Sequence, residues 1–315
     1  MKVTEHLAKA DHPLISFEII PPLRGGDVKG LLALIDDLVK YHPPFIDITS
    51  NAAEVIYDET PAGIQRRVKR KRPGTLGVCA LIQNKYQIDA VPHILCQGFT
   101  REETEDFLIE LRYLGIDNVL AVRGDDSGFK KPLQYGRSAN RYACDLVAQI
   151  AAMNQGRYIE EDLLNAEPTS FCIGVGGYPE KHFEAANLRL DVRRVKEKVE
   201  AGAHYVVTQM FFDNRHYFQF VDLCREQGIN VPIIPGLKIL TSERQLSSIP
   251  RKFYVEVPAT LADEVIANPE HVADIGIEWA AVQSQELLDR GVPSLHFYVM
   301  QSATAIKKLM ARLKL

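Results

Sequence analysis

Short runs of apolar, β-rich residues recur along the chain, and each is followed by a longer stretch with amphipathic, helical spacing. The runs are LISFEII (14–20), FIDIT (45–49), AVPHILC (90–96), NVLAVRG (118–124), SFCIGVG (170–176), YVVTQMFF (205–212), VPIIPG (231–236) and SLHFYVM (294–300). Near-continuous apolar runs of this length are the pattern of strands covered on both faces, and the stretches between them read as helices with one apolar side. Helices are predicted over 27–41, 58–72, 101–114, 138–154, 185–201, 214–227, 241–249 and 269–290, with a last one at 301–314. Eight such units with no strong linker predict an α/β fold: a (β/α)8 TIM barrel with short helical insertions, one domain over residues 1–315. Residues 73–88, 155–168 and 251–268 exceed a minimal barrel, and the first of these is expected to add a short helix.

Polar residues interrupt the pattern at particular places. In LISFEIIPP (14–22), Ser16 and Glu18 stand inside a run that is otherwise buried. The other predicted strands carry or lead to Asp47, Thr49, His93, Arg123, Asp125, Tyr178, His182, Thr208, Gln209, Lys238, His296 and Tyr298. Catalytic groups of such barrels sit at the C-terminal strand ends, so these residues are expected to converge on one mouth. Taken singly, each has a structural reading: Glu18 as a salt-bridged acid, His93 as a core histidine, Arg123-Gly124-Asp125 as a turn with an ion pair. Thr49 could cap backbone at a strand end, and Gln209 could hold a neighbouring loop. Burying each unpaired costs roughly 1–3 kcal/mol, which makes a whole ring of them costly for a purely structural face.

Composition narrows the choice. The 315 residues are 46% hydrophobic and 25% charged, with a net charge of −4, which gives no bulk attraction to nucleic acid. The basic run RRVKRKR (66–72) is read as the solvated end of the 58–72 helix, stopped by Pro73-Gly74. Five scattered cysteines without a CxxC pair suggest neither disulfides nor a metal site and fit a reducing cytoplasm. The N-terminus lacks the apolar region of a signal peptide, and no run reaches the ~18 apolar residues of a membrane span. GVGGYP (174–179) does not match GxGxxG, though its glycines permit close approach of backbone to a ligand.

SFEIIPP, VPHILC, LAVRGD, GYPEKH, VVTQMFF, IIPG and LHFY occur in this order at the predicted strand ends. Together they make the chain resemble the methylenetetrahydrofolate reductases, FAD-dependent (β/α)8 barrel enzymes of one-carbon metabolism. The likeness runs from about residue 12 to 313, and the chain looks like the catalytic barrel without the regulatory domain of longer members. The resemblance implies ping-pong reduction of 5,10-methylenetetrahydrofolate to 5-methyltetrahydrofolate, supplying methyl groups for methionine synthesis. It implies FAD as cofactor and NADH or NADPH as co-substrate. No metal, nucleic acid or membrane partner is expected, and a homo-oligomer is.

Carried over by motif, Glu18 matches the general acid, Asp125 the aspartate near flavin and folate, and Gln209 the pterin contact. Thr49, His93, Arg123, Gly124, Asp125, Tyr178, His182, Asp191, Arg194 and Lys198 match the FAD side, and Tyr298 the substrate side. Arg194 and Glu197 stand where other members often carry asparagine and arginine. Residues 236–245 lack an aromatic found there in some members, and Gln301-Ser302 replaces Asn-Arg. Set in a barrel wall, Glu18 is expected to lose solvation and so to hold its proton above the usual carboxylate range. Two other readings stay open: a flavin barrel of the proline dehydrogenase kind, and a flavin-free pterin-binding barrel enzyme.

Overall fold

A computed structural model describes residues 1–61, 63–69, 72–124 and 131–313. Its strands are β1 (Leu14–Ile19), β2 (Phe45–Ile48), β3 (Glu54–Thr60), β4 (Gly63–Lys69), β5 (Asp89–Leu95), β6 (Asn118–Val122), β7 (Cys172–Gly177), β8 (Tyr205–Thr208), β9 (Ile233–Ile234), β10 (Gly236–Leu237) and β11 (Ser294–Met300). Nine of them form one parallel sheet in the order β10-β11-β1-β2-β5-β6-β7-β8-β9. The two shortest are halves of one stave. Pro235 separates them because proline has no N–H to give the ladder. β9 bonds to β8 and β10 to β11, and His296 N–H donates to the Pro235 carbonyl at 3.0 Å across the break. The sheet therefore closes into a barrel of eight staves, as the pattern of apolar runs predicts.

The helices are α1 (Val3–Lys9), α2 (Val28–Leu38), α3 (Thr75–Leu81), α4 (Arg101–Tyr113), α5 (Ala143–Met153), α6 (Leu188–Glu200), α7 (Asn214–Glu226), α8 (Gln245–Phe253), α9 (Ala259–Ala267), α10 (Val272–Asp289) and α11 (Thr304–Met310). Strand alternation sorts the core into two shells. On β1, Ile15, Phe17 and Ile19 join the large cluster between strands and helices. Phe45, Val91, Leu120, Cys172, Tyr205, Val207 and Ile234 form a smaller cluster with Val3. Val3 belongs to α1, which closes the N-terminal end of the barrel. Its backbone N–H donates to Asn118 Oδ1 at 2.8 Å, and the amino terminus and His6 both hold Asp89 at the start of β5. A third cluster packs α8, α9 and the start of α10 against Met210, Phe212 and Leu240.

The helix predicted over 58–72 does not form. Residues 54–60 and 63–69 pair as an antiparallel hairpin, Val55 opposite Val68 and Tyr57 opposite Arg66. β-branched Val55, Ile56, Thr60, Ile64 and Val68 favour strand, and Pro61 with Gly63 (φ 116) breaks any helix between them. Arg66 and Arg67 thus lie on an exposed strand rather than at a helix end; Arg70 and Lys71 lie outside the described residues. The crossover from β2 to β5 is made instead by α3, the short helix expected in 73–88, continued by a π turn at Ile82–Tyr86.

Candidate active site

Register builds the centre of the mouth. Glu18 is paired with Asp47 on β2 and Tyr298 on β11, and Ser16 with His296. Because strand residues alternate, the buried Ser16 and Glu18 share the face opposite Phe17, and Asp47, His93 and His296 are likewise buried. Thr49 Oγ1 donates to Glu18 Oε1 at 2.8 Å. His93 Nε2 lies 3.7 Å from Glu18 Oε2 and 3.6 Å from Asp47 Oδ2, and His296 Nε2 lies 3.8 Å from Glu18. Ser16 Oγ holds the other side of the His296 ring at 2.9 Å from Nδ1. Just past Glu18 the β1–β11 register slips by one residue, and Met300 takes a left-handed conformation (φ 67). Such bulges re-aim side chains beside functional sites.

Burial pushes the Glu18 carboxyl up, as the sequence leads one to expect. The charge of His93, then His296 and the Thr49 hydrogen bond, outweigh it and hold the carboxyl below the usual glutamate value. The expected upward shift is therefore reversed, because the neighbouring strands supply cationic and donor partners. His93 shows the converse. Burial pushes its imidazole down, but Glu18 and Asp47 bring it above the ordinary histidine value. Lys238, at the end of β10, is lowered by burial against the opposing pull of Glu18, and its Nζ donates to the Tyr298 carbonyl at 2.8 Å.

A second group of predicted residues gathers at the ends of β6 and β7 and on α6. Arg123 pairs with Glu184 at 2.7 Å. The Tyr178 and His182 rings meet edge to face with centroids 4.7 Å apart. Asn187 caps α6 by accepting from Leu190 N–H, and in the first turn Asp191 accepts from His182 N–H at 2.8 Å, so loop and helix fix one another. Lys198 reaches back to the Gly176 carbonyl at 2.5 Å; burial lowers its pKa. Gly124 turns the chain after β6 with φ 90. Arg194 stands apart from this group: it is exposed, and its guanidinium grips Glu197 at 2.8 and 2.9 Å.

Gln209 lies at the end of β8 and turns its Oε1 onto the Met210 N–H at 2.9 Å. The Tyr298 hydroxyl donates to the Thr208 carbonyl at 2.6 Å. Asp125 lies outside the described residues. Sequence reasoning placed Asp47, His296 and Lys238 at strand ends without a role and missed the Ser16–His296 contact. The signal for that contact was the two-residue spacing of Ser16 from Glu18.

The model of the methylenetetrahydrofolate reductase family matches residues 2–314. The chain belongs to the methylenetetrahydrofolate reductase family. Relatives in that family include "Methylenetetrahydrofolate reductase 1" of Schizosaccharomyces pombe, 29% identical over 100% of this chain and 49% of its own length. "Methylenetetrahydrofolate reductase (NADH) 1" of Arabidopsis thaliana is 31% identical over 90% of this chain and 45% of its own length. This member of the reductase family therefore spans about half of those two relatives. It covers 86% of "5,10-methylenetetrahydrofolate reductase" of Salmonella typhimurium, at 30% identity over 92% of this chain. Among solved structures, a Clostridium thermocellum protein described as binding two copies of 5-methyl-5,6,7,8-tetrahydrofolic acid superposes with a TM-score of 0.56. At 13% identity over 98% of this chain and 96% of that one, it attests the fold alone.

Proposed function

We propose that this chain reduces 5,10-methylenetetrahydrofolate to 5-methyltetrahydrofolate with NAD(P)H as electron donor and FAD as cofactor. The observation that carries the reading, in a chain of this family, is the buried Glu18–His93 pair at the centre of the mouth with Thr49 donating to the carboxylate. The residues present fit a flavin dinucleotide. At Gly176 a Cβ would meet nothing within 4 Å, leaving open space beside β7. Arg123 and Lys198 bring positive charge to the ends of β6 and β7, suited to a diphosphate, while His93 stands on the neighbouring β5 and Thr49 at the end of β2 beside it. FAD, when bound, supplies hydride transfer from the nicotinamide to the folate.

The protein's part is to position the folate and to move a proton. Glu18 gives a proton to N10 of the folate, which opens the five-membered ring to a 5-iminium cation. The carboxylate left behind faces that cation in a site walled by buried side chains, where fixed charge acts more strongly than in water. The carboxyl need not be protonated at rest. A proton on His93, 3.7 Å away, belongs to the same pair and supplies it. Gln209, by family match, orients the pterin, and Asp125, by the same match, is the aspartate that tunes flavin and folate.

Tyr298 keeps the substrate side in this reading, with its hydroxyl donating to the Thr208 carbonyl. Among the described residues no helix is long and apolar enough to cross a membrane. A cytoplasmic place, a homo-oligomeric state and methyl supply for methionine synthesis complete the proposal.

An anaerobic visible spectrum tests it. Flavin bands in the purified protein should bleach with NADH or NADPH and return on adding methylenetetrahydrofolate. A colourless protein, or bleaching that the folate does not reverse, would overturn the reading.

A further inference from the structure

Among the described residues Asp47 is the most deeply buried carboxylate of the mouth, with no exposed surface, and neither of its oxygens has a hydrogen-bond partner there. A buried carboxylate in that state is costly, and sites that keep one use it. Its nearest cationic group is His93 Nε2 at 3.6 Å, and the same nitrogen stands 3.7 Å from Glu18. One imidazole nitrogen thus lies between two buried carboxylates on adjacent strands.

We propose that Asp47 is a positioning residue that holds the His93 imidazolium against Glu18, and so keeps in the site the proton that Glu18 passes to the folate. The inference rests on the reductase reading and deepens it. The transfer balances without a further reactant. Glu18 takes the proton from His93 and passes it to N10 of the folate, ending as the carboxylate it was at rest; His93 ends neutral, and solvent restores its proton before the next turnover. Asp47 gives and takes no proton in this sequence. Its charge favours the imidazolium, which burial alone would disfavour.

The remaining titratable and charged groups near Asp47 and His93 come from several elements. They are Glu18 on β1, Tyr205 on β8, Lys238 after β10, His296 and Tyr298 on β11, and Cys79 on α3. Tyr205, Tyr298 and Cys79 are held neutral by burial, each raised above its ordinary value. They do not replace Asp47 as the counter-charge to His93.

The test is the titration of His93, followed by NMR in the histidine-labelled full chain without folate or nucleotide, its signal assigned by its loss in His93→Gln. The midpoint in the native protein should lie above the ordinary value of ~6.5. In Asp47→Asn it should fall by about one unit, roughly a tenfold loss of imidazolium at a given higher pH. The alkaline limb of the folate half-reaction should move down by the same interval, and Asp47→Glu should restore most of it.

A native midpoint at or below the ordinary value overturns the proposal, and this measurement needs no variant to fold. An unmoved midpoint in Asp47→Asn, or a rate loss equal at every pH, overturns it as well. A chain with the shifted His93 midpoint but no folate reduction would support the Asp47 placement and count against the reductase reading, so the two failures are distinguishable.

Discussion

Glu18 sits where a strand needs an apolar residue or a paired one, and the barrel pairs it. Thr49 donates to it, and His93 and His296 approach it from either side at 3.7 and 3.8 Å. Desolvation alone would make it a weak, proton-holding acid; His93 turns it into a pair that shares its proton. Replacing Glu18 by Gln keeps the Thr49 contact and removes the proton. Stopped-flow folate reduction should then fall by about 10²–10⁴-fold, the usual worth of a general acid. A fall of the same size in the NADH-to-flavin step would show instead that the substitution had damaged the mouth as a whole.

At the scale of elements, α1 is the piece the apolar pattern did not announce. It is only seven residues long, and MKVTEHLAKADHP holds no apolar run. It is held by contacts from distant residues: Asn118 and Asp89 at the starts of β6 and β5, and Cys172, whose Sγ lies 3.7 Å from Thr4 Oγ1. Burial pushes the Asp89 carboxyl up, but His6 and the amino terminus bring it below the usual aspartate value. Its folded pKa is therefore lower than its unfolded one. The stability it contributes is present in full above the ordinary aspartate range and is lost as pH falls through the depressed value. Asp89→Asn should cost about 1 kcal/mol at neutral pH by denaturant titration, discounted for the partly exposed partners. The cost should shrink as the pH is lowered; a pH-independent loss would refute the electrostatic account. The hairpin β3–β4 misled sequence reading in the opposite way. Its charges at near-helical spacing imitate a solvated helix, and only the pairing of Val55 with Val68 reveals the strand period.

For the whole molecule, closure of the barrel depends on which side chains fill its axis. Tyr205 is fully buried in the interior cluster, and it has room because β7 carries glycine opposite it. A Cβ on Gly174 would stand 2.3 Å from Tyr205 Cζ. Gly174→Ala should therefore overpack the interior and lower stability by about 1–3 kcal/mol, read as a lower thermal midpoint. Gly174→Ala combined with Tyr205→Phe should not recover it, since the clash is with the ring. Recovery in the double variant would show that the hydroxyl, not ring volume, sets the constraint.

How much of this was legible beforehand follows from the range of each interaction. The eight staves, their parallel order and the gathering of Glu18, Thr49 and His93 at one end are written in local periods: apolar runs, helical spacing and side-chain alternation within a strand. The family motifs lie on the same strand ends, so fold and site were readable together. The reversal of the Glu18 shift was not, because it depends on His93 and His296, 75 and 278 residues away in the chain. The tie from Tyr298 to the Thr208 carbonyl, 90 residues away, was hidden for the same reason, whereas Arg194 and Glu197 are a local pair three residues apart on one helix. Sequence by itself determined which residues face the mouth, since alternation along a strand is a local property. Only the tertiary structure decided what each of them meets there, since register between strands far apart in the chain sets every distance and with it every charge.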